Sequence, residues 1–230
     1  GFFVGLWNRL FGASFYYLYG MIKGMIMMKI LFVSVACMVM NIAVAQKGVT
    51  DASFKYDIAI ESAGDAPVAK SFEGASLQVF VRGGLSRTDM VSGLGTETTF
   101  YDTKTGKGTI LKEYSGQKLM IKLTRENWMQ KNQYFRNMKF NIDNTEIRIG
   151  GYDCKKATAK TDEGKEFVVY FMSDVKLANK DYNNSFAQLP GIPVQYEWES
   201  GKLKFTYTLS GINYENIPAN KFDIPKSGFR

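Results

Sequence analysis

The chain has 230 residues, a net charge of +7 and no histidine. The missing imidazole removes the Ser-His triads, the commonest general base and most zinc sites. Cys37 and Cys154 are the whole complement of thiols, too few for a thiolate metal site.

Residues 1–45 carry Arg9, Lys23 and Lys29 and no carboxylate. Met28-Lys29 is followed by an apolar run, Ile30 to Ala45, of 16 residues; a membrane-spanning helix needs roughly 20. Ala43-Val44-Ala45 fits the small-x-small rule for signal cleavage. Residues 28–45 therefore read as a cleaved signal peptide, with Met28 as the start and residues 1–27 as an upstream extension. Lipidation at Cys37 is disfavoured, because Ser34 replaces the usual Leu three positions before it and more apolar residues follow. Without residues 1–45 the net charge falls from +7 to +4. That is an ordinary solubility charge, which argues for neither nucleic acid nor a strongly anionic membrane surface as partner, and no nucleic-acid partner is expected. The mature chain from Gln46 reads as one domain and a monomer, exported to the periplasm or cell envelope. Cys154 is then its single cysteine, read as a small buried apolar residue rather than a reactive one.

From Ser53 onward the hydrophobic period is 2. Phe54, Tyr56, Ile58 and Ile60 alternate with Lys55, Asp57, Ala59 and Glu61, the pattern of a strand with one wet face. Ser62 to Glu73 is a polar connection. Leu77, Val79 and Val81 open a second strand that turns at Gly83-Gly84 and runs back over Leu85 to Val91. Thr96 to Tyr101 and the hairpin Gly108–Tyr114 with Lys118–Leu123 continue an antiparallel meander. Alternation then stops. Thr124 is an N-cap candidate, and the spacing predicts a short helix from about Arg125 to Gln133 with Trp128 and Met129 as its apolar contacts. Strands resume at Glu146–Ile149, Tyr152–Lys160 and Glu166–Ser173. Residues 176–190 read as loop with a helical turn near Ser185 to Gln188, and Val194–Trp198 with Lys202–Leu209 forms the last long hairpin.

Phe167 to Met172 is apolar at every position, which predicts cover on both faces. Pro190 and Pro193 cannot donate within a ladder, so they mark the point where the chain turns into the next strand. Gly191 between them is expected to hold a backbone conformation costly for other residues.

These residues carry a resemblance. Gly151, Tyr152, Cys154, Lys155, Lys156 and Ala157, followed by an apolar strand and then Leu189, Pro190, Gly191 and Ile192, resemble the GLPGLI family and allied exported proteins of Bacteroidetes. The chain departs from the motif at Gln188 and Pro193. The resemblance implies a lipoprotein-carrier (LolA/LolB-like) fold: mainly β, a single curved antiparallel sheet or half-barrel with one or two short helices. It implies no reaction. On the same basis Arg87, with Arg82 as the second match, stands where the carrier proteins place a groove-gating Arg.

No nucleophile–base–stabiliser set appears, and no enzyme activity or cofactor is expected. The Gly pairs do not form a P-loop or a dinucleotide fingerprint. Glu197 and Glu199 share a strand face, and solvated decoration is the plainer reading of the pair. What the sequence poses is a packing problem. About ten one-sided strands have one helix to cover them, so curling, loops, a partner or a ligand must bury the rest. Two readings stay open. One is a lipid or lipidated-peptide binder whose groove has Trp128 at its mouth and Arg87 near a polar headgroup. The other is an envelope interaction module whose interior is filled by its own side chains.

Overall fold

A computed structural model describes residues 48–62, 70–135, 138–161, 164 and 166–230. The expected extension (1–27) and signal peptide (28–45) lie outside the described residues, as does most of the polar connection around Pro67.

The fold is mainly β: among the described residues, one open antiparallel sheet of 11 strands with one α-helix, the half-barrel architecture that the resemblance implied. Two meanders build it. The first runs β2 (Asp51–Ser62), β3 (Ser76–Arg82), β4 (Leu85–Ser92), β5 (Gly95–Asp102), β6 (Lys107–Tyr114) and β7 (Gln117–Leu123). The second runs β8 (Asn141–Ile149), β9 (Tyr152–Lys160), β10 (Glu166–Met172), β12 (Ile192–Ser200) and β13 (Leu203–Asn213). They join where β2 pairs with β13, over ten register positions from Leu203↔Ser62 to Asn213↔Ser53. Both open edges, β7 and β8, therefore lie far from the seam. A separate two-stranded parallel pair, β1 (Gly48–Val49) with β11 (Lys176–Leu177), completes the strands among the described residues.

Period-2 alternation puts Ala52, Phe54, Tyr56 and Ile58 of β2 on one face, opposite Val81, Val79 and Leu77 of β3 and Leu209, Tyr207 and Phe205 of β13. These residues form the core together with Phe167, Val169 and Phe171 of β10 and Val194 and Tyr196 of β12. We call this the inner face. The long connection from β7 to β8 crosses it. Helix α1 (Arg125–Lys131) is capped by Thr124, whose Oγ1 accepts from the Asn127 N–H at 3.3 Å. A 3-10 turn at Gln133–Phe135 follows, and Phe140 then packs edge-on to Phe167. The segment between β10 and β12 also folds over the inner face, burying Leu177, Phe186 and Leu189. The helical turn expected near Ser185 is a 3-10 turn at Asn184–Phe186, and the segment also carries β11 and a second 3-10 turn at Lys180–Tyr182.

The outer face differs from expectation. Val168 and Tyr170 of β10 point there and are only half-buried, so the apolar run is not covered on both sides. The outer face of the first meander, by contrast, is strapped by the C-terminal tail. Arg82 Nη1 donates to the Ile217 carbonyl at 2.7 Å and Arg87 Nη1 to the Lys221 carbonyl at 2.9 Å. At the far end, the Arg230 N–H donates to the Lys118 carbonyl, and the Met120 N–H donates to the Arg230 carbonyl. The tail thus partly pairs the β7 edge, one of the ways proteins blunt an exposed edge strand.

Candidate functional site

The residues singled out by sequence do not share one place. Trp128 is on the inner face, 7% exposed, stacked on Tyr101 at 4.4 Å between ring centroids and lying against Gly108. A side chain at Gly108 would collide with the indole, so the glycine makes the seat for the ring. Arg87 is on the outer face, in register with Phe80 and Phe100. Its guanidinium lies over the Phe100 ring, pairs with Asp89 at 2.9 Å and holds the tail. The expectation that Arg87 and Trp128 meet in one groove is corrected. β4 presents Ser86, Thr88 and Met90 inward, and strand alternation sends Arg87 the other way. Arg87 works there as a clamp on the tail.

Leu189, Pro190, Gly191 and Pro193 form a corner at the entry of β12. Gly191 does not occupy the left-handed region; it is absent from the positive-φ glycines among the described residues. Its constraint is a close approach instead. A Cβ there would run into the Met172 carbonyl and the Phe171 ring. Pro193 sits at a bulge, where Tyr170↔Gln195 gives way to Phe171↔Pro193, one of the few sheet positions open to proline. Its carbonyl accepts from the buried Tyr56 hydroxyl at 2.8 Å. Cys154 on β9 is 1% exposed, and burial pushes its thiol pKa up, which disfavours the reactive thiolate.

Most of the inner face is filled. Phe186 packs edge-on to Tyr196 at 4.8 Å, and Tyr196 stacks on Tyr207 at 4.6 Å. The hydroxyl of Tyr182 and the side-chain amide N and O of Asn179 are buried there without a hydrogen-bond partner among the described residues. Desolvation raises the pKa values of Tyr56, Tyr182 and Tyr196.

The open space lies elsewhere, between β10 and β12. These strands are in register from Val169↔Tyr196 to Met172↔Ile192 and have no ladder pairing below that point. Each is still bound on its far side: Glu166–Val168 to Lys160–Thr158 of β9, and Glu197–Ser200 to Thr206–Leu203 of β13. The pair is therefore a fork, zipped at one end and parted at the other. A recess of about 640 Å³ fills the parting, with a described lining of Tyr134, Phe135, Thr161, Glu166, Phe167, Val168, Glu197, Trp198 and Glu199. Phe135 and Phe167 pack on Trp198 at 5.6 and 6.0 Å, and Trp198 is 36% exposed. A smaller hollow of about 220 Å³ shares Phe135, Phe167 and Trp198 and reaches Phe186 and Tyr196. The sequence offered Trp198 only as the end of an alternating strand. The parting of β10 from β12 is a pairing event, and no local pattern encodes it.

No family model matches the chain, and no curated protein matches it. Among solved structures it is similar to PNGF-II in a C2 crystal form, at 10% identity and a TM-score of 0.40, over 75% of this chain and 30% of that one. It is similar to MucB at 10% identity and a TM-score of 0.30, over 77% of this chain and 58% of that one. It is also similar to the MucA/MucB complex of Pseudomonas aeruginosa at 11% identity and a TM-score of 0.29, over 76% and 56%. The chain thus spans less than two thirds of each of these proteins, and likeness at this level assigns it no activity.

Proposed function

We propose that this protein is a non-enzymatic binding protein of the periplasm or cell envelope, exported by cleavage after Ala45, which holds part of a partner polypeptide in the recess between β10 and β12. The observation that carries this reading is the contrast between a mostly filled inner face, with a hollow of about 220 Å³, and the larger open, aromatic-lined recess of about 640 Å³ at its margin. Apolar and aromatic walls with a few placed polar groups are the usual composition of a binding hollow. Trp198, half in contact and half exposed, is the kind of residue that anchors interfaces. The GLPGLI resemblance over Gly151–Ala157 and Leu189–Ile192 is compatible with this role, since that motif supports the zipped end of the same fork.

A second reading, capture of a single acyl chain or lipidated peptide, is supported by the 220 Å³ hollow that continues the aromatic lining inward. The two are separated by titrating the full chain with an array of short unrelated peptides and, in parallel, with a fluorescent fatty acid. Saturable peptide binding that is lost in Trp198→Ala and Phe135→Ala supports the interaction module. Fatty-acid binding lost in the same variants, with no peptide binding, replaces it with the lipid reading. If neither probe binds, the recess is not the site. Intact mass of the exported protein beginning at Gln46 would support the processing step; retention of residues 1–45 would overturn it.

A further inference from the structure

We infer that the fork takes an extended segment as an inserted strand, with basic side chains alternating with apolar ones; this rests on the interaction-module reading and specifies its mode. Three features point to it. The first is backbone. Phe167 and Val168 of β10 and Glu197 and Trp198 of β12 face each other with no ladder pairing between them, while their opposite edges are fully paired. Unpaired strand edges are templates for another chain. Because β10 and β12 are antiparallel, a strand between them runs parallel to one and antiparallel to the other.

The second feature is the division of the lining. Phe135, Phe167 and Trp198 lie toward the inner face. Glu166, Val168, Glu197 and Glu199 lie toward the outer face, because they alternate with Phe167 and Trp198 along their strands. An inserted strand sends successive side chains to opposite faces. One set then meets aromatic rings and the other meets carboxylates.

The third is charge. The described lining holds three carboxylates and no cation. Of the neighbouring cations, Lys204 pairs with Glu197 at 2.9 Å and is shared with Glu199 and Glu61, and Lys160 stands opposite Glu166. Among the described lining residues the charge is negative, so the outward side chains of the guest should be Lys or Arg. An anionic headgroup is the wrong sign for this rim.

The test uses the full chain and four capped six-residue peptides, read by tryptophan fluorescence and calorimetry at low and moderate salt. The first alternates Lys with Leu and Val. The second has the same composition in two blocks. The third alternates Glu with Leu and Val. The fourth is the first with every second backbone nitrogen methylated. The alternating basic peptide is expected to bind at least tenfold more tightly than each of the others, with affinity falling as salt rises. A Glu197→Gln/Glu199→Gln double variant, with its fold verified by circular dichroism, should bind it several-fold more weakly. Equal binding of the alternating, blocked and methylated peptides would overturn strand insertion while leaving the recess as a peptide site. Preference for the Glu peptide would overturn the charge assignment. Absence of binding by all four would overturn the inserted strand. Whether the recess reading falls with it is decided separately by the array of unrelated peptides.

Discussion

The two meanders meet the same requirement, burial of one apolar face, with different completeness. From β2 to β7 every ladder runs without a register shift; α1 lies over β5 and β6 through Trp128, and the C-terminal tail straps β3, β4 and β7 on the other side. In the second meander two ladders slip, β8 on β9 and β10 on β12, and so does the seam where β13 pairs with β2. Its edge strand β8 is exposed along nearly its whole length, and β10 and β12 part into a fork. A sheet gains most of its stability from unbroken cross-strand pairing and covered faces. Regions that give up some of it are where binding surfaces are found. The comparison teaches that the open recess is a consequence of local unpairing, and that sealed and open regions should respond to change in different ways.

Alkaline pH should break the filled core of the inner face first. Tyr56, Tyr182 and Tyr196 are buried, and desolvation raises their pKa values above the ordinary value near 10. An acid whose pKa is raised by folding contributes its stability below the unfolded pKa and loses it as pH rises past that value. Three such groups correspond to about 4 kcal/mol lost per pH unit above roughly 10. Chemical denaturation between pH 8 and 11 should show a flat region and then a steep fall; a flat profile throughout would mean these hydroxyls are not buried.

Trp128→Ala removes the ring that covers Gly108 and Tyr101 and should cost about 4 kcal/mol. Trp128→Phe should cost under about 1.5 kcal/mol, because the buried indole N–H has no hydrogen-bond partner among the described residues. Peptide binding should survive in both if the sealed wing and the fork are independent. Gly191→Val forces a side chain into the Met172 carbonyl and should cost about 3 kcal/mol by overpacking. It sits at the zipped end of the fork, so it is also expected to alter binding, which would sharpen the link between corner and recess.

Arg87→Ala should cost about 1–2 kcal/mol through the lost carbonyl clamp and the lost contact with Phe100. Its signature should be faster proteolysis within residues 219–226 with ligand affinity unchanged; reduced affinity instead would return Arg87 to the binding site. The smallest effect on stability belongs to the open region. Trp198→Ala should cost no more than about 1 kcal/mol by denaturation, yet abolish peptide binding. A large loss of stability there would mean the recess is part of the core.

Alternation in Phe54–Ile60 and in Leu203–Leu209 was enough to place strands and their buried faces, because a period of 2 needs only neighbouring residues. Thr124 and the break in alternation placed the helix, and Pro190 and Pro193 placed the corner. Three things were decided only by tertiary structure. Gly191 is required by a carbonyl from another strand, not by its own φ. Arg87 points outward because the pairing of β4 with β3 and β5 fixes which of its two faces is inside. The recess exists because β10 and β12 separate after Val169 and Tyr196, although Phe167, Val168, Glu197 and Trp198 read locally as ordinary strand. Local pattern reports which residues want burial; only the register of distant strands decides which of them meet, and where the sheet stays open.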